Sequence, residues 1–232
     1  MAQELIGANA SSQARAPAHF SLIMQTIMMQ PIYASEVSDM TRTDLREVVA
    51  VHLLSFSGFF LSELGPRFLF SLYDGIINDP SGIALVCKQN RRVQGFVAGT
   101  TEPRGFYVRL LARRWCRFAL ASVIPVLRNP RILSRLLNAF RKTKKEPDDE
   151  GCGLLMSIAV DPQVQASGIG AALVHEFLTE CRSRGLSSVH LTTDHFENDQ
   201  VNRFYSKLGF KVSRVVTTPQ GRVMNDYRIE IG

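Results

Sequence analysis

The sequence lacks the features that mark membrane-spanning, metal-binding and disulfide-bonded proteins. Its 232 residues contain no uninterrupted apolar run that approaches the ~20 residues of a membrane span. The four cysteines are far apart and form no CxxC pair, so we interpret them as reduced thiols. The five histidines show no HExxH or comparable spacing, and we therefore predict no metal site. The N-terminus lacks a secretory pattern, so we expect a cytoplasmic protein.

Acidic residues are missing from one long stretch. Residues 104–145 carry nine arginines, three lysines and no aspartate or glutamate. Twelve of the 27 basic residues lie there, and the remaining 15 are outnumbered by 21 acidic residues elsewhere. The net charge of +6 therefore belongs to an acidic globule that carries one basic segment.

The order of apolar patterns and turn residues predicts a single α/β domain. Strand patterns occur at 31–38, 82–89, 93–102, 153–160, 188–194, 210–216 and 222–231, and helical patterns at 41–56, 59–77, 169–184 and 198–209. We predict one mixed sheet with helices on both faces over residues 31–232. A flexible tail over 1–30 precedes this domain, and a basic helical hairpin over about 104–149 interrupts it.

Two glycines stand one residue apart where an apolar helical pattern begins. Gly168 and Gly170 lie in QASGIGAALV, shortly after a strand pattern that ends at Val160. Glycine in a helix costs about 1 kcal/mol relative to alanine, so a local reason is expected. A helix start presents free N–H groups that bind phosphate, and glycine lets a pyrophosphate approach the backbone closely. The alternative is that both residues only shape a turn and permit tight packing.

Two linked motifs resemble those of the GNAT N-acetyltransferases. That family has a Gln or Arg separated by two residues from a following G-x-G or G-x-A, and further on an Asn, a Tyr seven residues later and a Gly-Phe pair. The matching residues here are Gln165, Gly168, Gly170, Asn198, Tyr205, Gly209 and Phe210. The resemblance covers about 150–216 and implies a GNAT-like, largely antiparallel mixed sheet. The segment 104–149 has no counterpart in a minimal domain of that family.

The resemblance implies acetyl-CoA as the co-substrate. The pyrophosphate would bind the backbone N–H groups of Gln165, Ala166, Ser167, Gly168, Ile169, Gly170 and Ala171. The pantetheine arm would lie in a slot where the strand ending at Val160 and the strand 188–194 splay apart, and it would bond to the backbone near Ile158 and Val160. Asn198 would also bond to the arm, with a helix N-cap as its alternative role.

The implied chemistry is the attack of a neutral amine on a thioester, which needs an acid for the departing thiolate and a base for the amine. Tyr205 matches the family's general acid, although it could also simply pack under its helix. Many family members carry a Glu in the central strand, but GLLMSIAV contains no acidic residue. We take Glu102 as the first candidate for the base, ahead of Asp194 and His195, with base action through water as a further alternative.

The acceptor site of the family lies between the first two helices and the last hairpin. Phe59 and Phe60 would line a sugar-binding or apolar pocket, and Glu63 and Arg67 would make polar contacts, although core and surface roles fit these residues too. We predict direct acetyl transfer to a primary amine of a small molecule, with amino sugars and sugar nucleotides as candidates. The alternatives are an N-acyltransferase that uses a longer acyl-CoA or an acyl carrier protein, and a non-catalytic CoA-binding or membrane-surface adaptor.

The basic segment places Arg109, Arg113 and Arg117 four residues apart, which predicts one basic helical face. A second basic helix is predicted from Asn129 and Pro130. The plainest interpretation is a solvated cap over the site. The alternatives for 104–145 are contact with an anionic membrane at its inner face, a phosphorylated substrate or an acyl carrier protein. Nucleic acid is a weaker alternative because no reading motif accompanies the charge, and a homodimer is left open.

Overall fold

The computed structural model describes residues 36–128, 151–164, 168–218 and 221–232, which belong to one compact unit. The predicted tail over 1–30, the second basic helix and the segment 165–167 lie outside these residues. None of the described helices is long and apolar enough to cross a membrane.

Seven strands and six α-helices make up the described part of the chain. The strands are β1 (Glu36–Asp39), β2 (Gly82–Gln89), β3 (Arg92–Thr100), β4 (Cys152–Val160), β5 (Ser188–Asp194), β6 (Lys211–Thr217) and β7 (Val223–Glu230). The helices are α1 (Leu45–Ser55), α2 (Phe60–Glu63), α3 (Gly65–Ile77), α4 (Phe106–Arg128), α5 (Ile169–Ser183) and α6 (Asp199–Lys207). These bounds confirm the predicted α/β class.

Local sequence explains where several elements end. Asn90 and Arg91 both have positive φ, as the tight hairpin between β2 and β3 requires. Pro66 lies in the first turn of α3, where its missing N–H costs nothing. Gly185 follows α5 with a φ of +80°, a conformation that stops a helix and favours glycine.

The strands form one sheet in the order β1-β2-β3-β4-β5-β7-β6. Every neighbouring pair is antiparallel except β4 and β5, which confirms a mixed, largely antiparallel sheet. The parallel contact covers only the three pairs between 152–154 and 188–190. Beyond Leu154, β4 keeps β3 as its neighbour and β5 keeps β7, so the two strands separate toward their carboxyl ends.

Two apolar cores lie on opposite faces of this sheet. One core joins the sheet to α1, α3 and α4, and its buried side chains include Leu45, Leu69, Phe96 and Phe106. The other joins the sheet to α5 and α6, and its buried side chains include Leu173, Phe177, Leu191, Tyr205 and Phe210. The opening between β4 and β5 is therefore flanked by a different helical layer on each face.

The basic helix α4 has carboxylate partners within the same chain. Arg113 lies 3.1 Å from Asp79, and Arg114 and Arg117 both contact Asp74 of α3. The side chain of Asp74 is only 4% exposed. The sequence analysis did not predict these partners. The backbone also leaves helical geometry at Arg114, with a φ of −133°, so the predicted single face of Arg109, Arg113 and Arg117 is interrupted.

Candidate active site

The separated edge of β4 presents backbone groups that β5 does not reach. The N–H of Asp161 donates to the carbonyl of Gln94, so residues 157, 159 and 161 direct their backbone groups toward β3. By alternation, Ile158 and Val160 direct theirs toward the opening. The carbonyl of Val160 accepts a hydrogen bond from Ser55 Oγ at 3.2 Å, which places the end of α1 beside the mouth of the opening.

A bulge interrupts β4 within this edge. Ala98 of β3 is opposite Ser157, whereas the next residue, Gly99, is opposite Leu155. Met156 is therefore the extra residue, and a bulge re-aims the backbone groups and side chains around it. The bulge lies two residues past the last pair between β4 and β5.

The N-terminus of α5 follows β4 after a short 3-10 turn at Pro162–Val164. The first helical hydrogen bond runs from the Ala172 N–H to the carbonyl of Gly168, so the preceding N–H groups have no partner within the helix. No side-chain hydrogen bond caps this end among the described residues. Free N–H groups and the helix dipole make such an end suited to an anion.

The two glycines of this turn serve different local purposes. Gly168 is exposed and has a φ of +82°, and a Cβ built on it would meet no described atom within 4 Å. Gly170 is close-packed: its Cβ would lie 3.4 Å from Phe204 Cζ and 3.7 Å from Val160 Cγ2. The positive φ of Gly168 and the close packing of Gly170 agree with the turn-and-packing alternative, and the binding of a pyrophosphate at these glycines stays a prediction.

Tyr205 lies in the core on the α5 side of the sheet and is about 5% exposed. Its ring contacts the rings of Phe204, Phe210 and Tyr227. Among the described residues its hydroxyl has no hydrogen-bond partner. Burial raises the pKa of this phenol above its ordinary value. The hydroxyl is thus protonated at neutral pH.

Asn198 occupies the N-cap position of α6, but its side chain makes no capping hydrogen bond. Its Nδ2 instead donates to the carbonyl of Asp194 at 3.4 Å, and Asn202 Nδ2 donates to the same carbonyl at 3.2 Å. The carboxylate of Asp194 is held by Arg222 at 2.6 Å, and His195 Nδ1 is 2.6 Å from Asn225 Oδ1. A polar network thus surrounds the end of β5 at the open side of the sheet.

Glu102 lies at the other end of the sheet. Thr100 of β3 is opposite Leu154, where β4 and β5 are still paired, and Glu102 follows two residues later. Its side chain is 68% exposed and lies 3.1 Å from Arg109. The structure therefore does not bring Glu102 and the opening together, and its role as a base stays a prediction.

The predicted acceptor residues lie between the end of α1 and the first turn of α3. Phe59 precedes α2, is 46% exposed and has its ring 5.7 Å from that of Phe56. Phe60 packs against the core, whereas Glu63 and Arg67 are exposed. Since the end of α1 touches Val160, this segment borders the mouth of the opening. The roles of these four residues in acceptor binding stay predictions.

The sequence analysis missed a buried polar chain that ends at β4. His52 Nδ1 lies 2.7 Å from the Tyr73 hydroxyl, which lies 3.2 Å from Ser157 Oγ. In the sequence, His52 belongs to the helical pattern over 41–56 and shares one helical face with Leu45, Val48, Val49 and Leu53. A histidine among apolar residues indicates a buried polar contact, but its partners could not be predicted because they are distant in the sequence. Within the described residues, no group of three metal-ligating side chains occurs.

Comparison with known proteins agrees with this geometry. A family model described as the acetyltransferase (GNAT) family matches residues 47–210. A 76-residue segment is 40% identical to a mycothiol acetyltransferase of Actinosynnema mirum and covers 33% of this chain and 24% of that protein. A 78-residue segment is 38% identical to a mycothiol acetyltransferase of Nocardiopsis dassonvillei and covers 31% and 23%. The chain thus spans about a quarter of the length of the curated relatives it matches.

Solved structures share the fold at low sequence identity. An acetyltransferase of the GNAT family from Desulfovibrio desulfuricans has a TM-score of 0.58 and 19% identity, over 85% of this chain and 99% of that chain. An aminoglycoside 6′-N-acetyltransferase complexed with coenzyme A has a TM-score of 0.55 and 15% identity, over 85% and 97%. The chain thus shares its fold with solved acetyltransferases. The chain belongs to the acetyltransferase (GNAT) family, whose model matches more than half of it.

Proposed function

We propose that the protein transfers the acetyl group of acetyl-CoA to a primary amine of a small molecule. The observation that carries this proposal is the opening between β4 and β5, with the uncapped N-terminus of α5 at its mouth. An anionic head and an extended arm fit this combination, since the helix end suits phosphate and the strand edge offers unpaired backbone groups. The family membership of the chain supports the same co-substrate.

The residues around the opening match the pyrophosphate and the pantetheine arm of acetyl-CoA in turn. The N–H groups of Gly168, Ile169, Gly170 and Ala171, together with the predicted segment 165–167, would hold the pyrophosphate. The backbone of Ile158 and Val160 would bond to the pantetheine arm. Asn198 would bond to the arm from the α6 side, because its amide is not used as a helix cap.

The bound co-substrate supplies an activated acetyl thioester. A bond forms between the amine nitrogen and the acetyl carbon, the carbon–sulfur bond breaks, and the amine loses one proton. Tyr205 donates its proton to the departing sulfur and regains one through solvent. The phenol is protonated at neutral pH, as the step requires, and its burial, which raises its pKa, makes release of the proton less favourable than in water.

The base that accepts the amine proton is a second part of the proposal. Glu102 is the residue predicted from the sequence, yet Asp194 and His195 lie at the open end of β5. Asp194 is engaged by Arg222 and His195 by Asn225, so each has a fixed orientation. Transfer of the proton through ordered water requires none of these side chains to touch the amine.

The acceptor is proposed to enter beside Phe59, Phe60, Glu63 and Arg67. An aromatic surface next to a carboxylate suits a polar amine with an apolar or sugar-like body. The two curated relatives are named for mycothiol, a small molecule, which supports a small-molecule acceptor.

The test measures binding and turnover separately. Calorimetry with acetyl-CoA and octanoyl-CoA is expected to give binding of acetyl-CoA, and preference for the octanoyl ester would indicate a longer acyl donor. Thiol release from acetyl-CoA is then followed with glucosamine, spermidine and alanine amide as probe amines. We expect thiol release to depend on the presence of an amine, and we expect mass spectrometry to detect the acetylated amine. If the protein binds neither ester, the proposal fails.

A further inference from the structure

A chain of three hydrogen-bonded side chains crosses the protein from α1 to β4. His52 Nδ1 lies 2.7 Å from the Tyr73 hydroxyl, and that hydroxyl lies 3.2 Å from Ser157 Oγ. His52 and Tyr73 are 2% and 1% exposed, whereas Ser157 is partly exposed. Burying a polar group without a hydrogen-bond partner costs free energy, and His52 Nε2 is buried without one among the described residues. The chain therefore calls for a role other than packing.

The buried end of the chain is built to orient a hydrogen bond rather than to supply a charge. His52 Nε2 has no partner among the described residues, although it is fully buried. Its ring lies between the rings of Phe56, Tyr73 and Phe96. Burial lowers the pKa of His52 to about 4, so the ring is uncharged at neutral pH. An uncharged ring pinned by three aromatic neighbours fixes the position of the Tyr73 hydroxyl.

The exposed end of the chain lies at the opening. Ser157 follows the bulge residue Met156 and lies past Leu154, the last residue of β4 that pairs with β5. Ser157 reaches Tyr73 on the face covered by α1 and α3, whereas Tyr205 belongs to the core on the opposite face. Ser157 and Tyr205 thus lie on opposite faces of the sheet. This arrangement suits a reaction in which one group approaches and another departs.

We propose that Ser157 is a further catalytic residue and that His52 and Tyr73 are its positioning residues, an inference that rests on the proposed function. Ser157 Oγ accepts a hydrogen bond from the acceptor amine and turns the nitrogen lone pair toward the acetyl carbon. A hydroxyl offers one donor and two acceptor sites, so Ser157 keeps an acceptor site whichever way its bond to Tyr73 runs. Ser157 gains and loses no proton, and the bonds made and broken are those given above.

The experiment compares variants that remove one hydroxyl at a time. Ser157→Ala, Tyr73→Phe and the double variant are assayed for thiol release with the three probe amines, alongside Ser157→Thr, which retains a hydroxyl. Ser122→Ala is the control, because it removes a serine hydroxyl from α4, where Ser122 Oγ is buried and has no partner among the described residues. Calorimetry with acetyl-CoA and thermal melts accompany each variant.

Ser157→Ala is expected to lower kcat by about a hundredfold, since misplacing a reacting group by about 1 Å has a cost of that size. Its Kd for acetyl-CoA is expected to stay within about twofold of the parent value, with partial recovery of kcat in Ser157→Thr. Tyr73→Phe is expected to lower kcat by about tenfold. The double variant is expected to have the same kcat as Ser157→Ala alone, because the two residues act through one contact.

Different failures have different meanings. If the parent acetylates a probe amine and Ser157→Ala retains its kcat, the assignment of Ser157 is wrong while the proposed function stands. If the effects of the two single variants multiply in the double variant, Tyr73 is not a positioning residue for Ser157. If the parent acetylates none of the probe amines, both proposals fall together.

Discussion

Arg114 of α4 and Asp74 of α3 form an ion pair in which the carboxylate is almost fully buried. Arg117 lies 3.1 Å from the same carboxylate, and Arg42 lies 3.6 Å from it. Three guanidinium groups from two parts of the chain thus share one acidic side chain. The basic helix is held on the domain by charges of the domain itself.

Replacing the shared carboxylate should destabilise the fold. Asp74→Asn retains the shape but removes the charge, and the expected loss is about 1–2 kcal/mol, because the side chains of Arg117 and Arg42 are more than half exposed and stay hydrated. Urea unfolding of the variant is expected to show a loss of that order. Glu180→Gln is the control, because its pair with Arg184 is more exposed and worth less than about 0.5 kcal/mol. Equal stability of the two variants would contradict the importance of Asp74.

The two ends of α5 provide a matched test of the phosphate site. Gly168 and Gly185 have φ values of +82° and +80°, and neither has a described atom within 4 Å of an added Cβ. Alanine at either position is expected to cost about 1 kcal/mol in stability, because both adopt left-handed geometry. Only Gly168→Ala is expected to weaken acetyl-CoA binding, by about tenfold or more, as measured by calorimetry. Equal affinities for the two variants would place the pyrophosphate elsewhere.

Tyr205→Phe removes one hydroxyl from a cluster of aromatic rings. Loss of a general acid lowers kcat by about a hundredfold or more. Acetyl-CoA affinity and melting temperature are expected to change little, since no described group bonds to this hydroxyl. Tyr227→Phe is the control from the same cluster, where the hydroxyl lies 3.5 Å from the carbonyl of Asn202. Similar losses of kcat in both variants would point to packing rather than to acid catalysis.

The Glu102→Gln variant tests whether Glu102, the base predicted from the sequence, can act from its position in the structure. Because Glu102 lies at the paired end of β4 and β5, we expect Glu102→Gln to leave the acidic limb of the pH–rate profile in place. The pair with Arg109 is exposed, so the stability should fall by less than about 1 kcal/mol. Loss of the acidic limb in this variant would establish Glu102 as the base. The Asp194→Asn profile, recorded in parallel, shows whether the open end of β5 supplies it instead.

His52 should make the stability of the protein depend on pH. Its folded-state pKa of about 4 lies below the unfolded value of about 6.5, so the unfolded chain binds the proton more readily between these values. Stability should therefore fall as the pH falls through this window. The contribution of His52 between pH 6.5 and 4.5 is about 2 kcal/mol. Urea unfolding at several pH values should show a flatter profile for His52→Asn, with the exposed His175→Asn as control.

Much of the fold was predictable because it depends on local patterns. Apolar runs gave the strands near their observed bounds, and Gly185 and Gly209 end helices at the predicted positions with positive φ. The turn at Asn90 and Arg91 was likewise local. The family motifs added the largely antiparallel arrangement of the sheet and the opening between β4 and β5, which no local pattern reveals.

The polar contacts were not predictable, because they join distant residues. Asp74 lies 40 positions before Arg114 and 43 before Arg117. His52 and Ser157 meet only through Tyr73, which lies 21 and 84 positions away from them. Charge counting could show that residues 104–145 lack acids, but not that the domain supplies Asp74 and Asp79 to them.

The three residue pairs between β4 and β5 divide the sheet into two antiparallel groups, each made of strands consecutive in the chain. Each group is held together by continuous antiparallel ladders of its own, from β1 to β4 and from β5 to β7. The seam between them is then the place where the native sheet opens most easily, in the manner of a hinge between two foldons. A ligand that spans the seam binds only when both groups of strands are folded. Its binding therefore couples the unfolding of the two groups and raises the free energy of unfolding of the whole sheet.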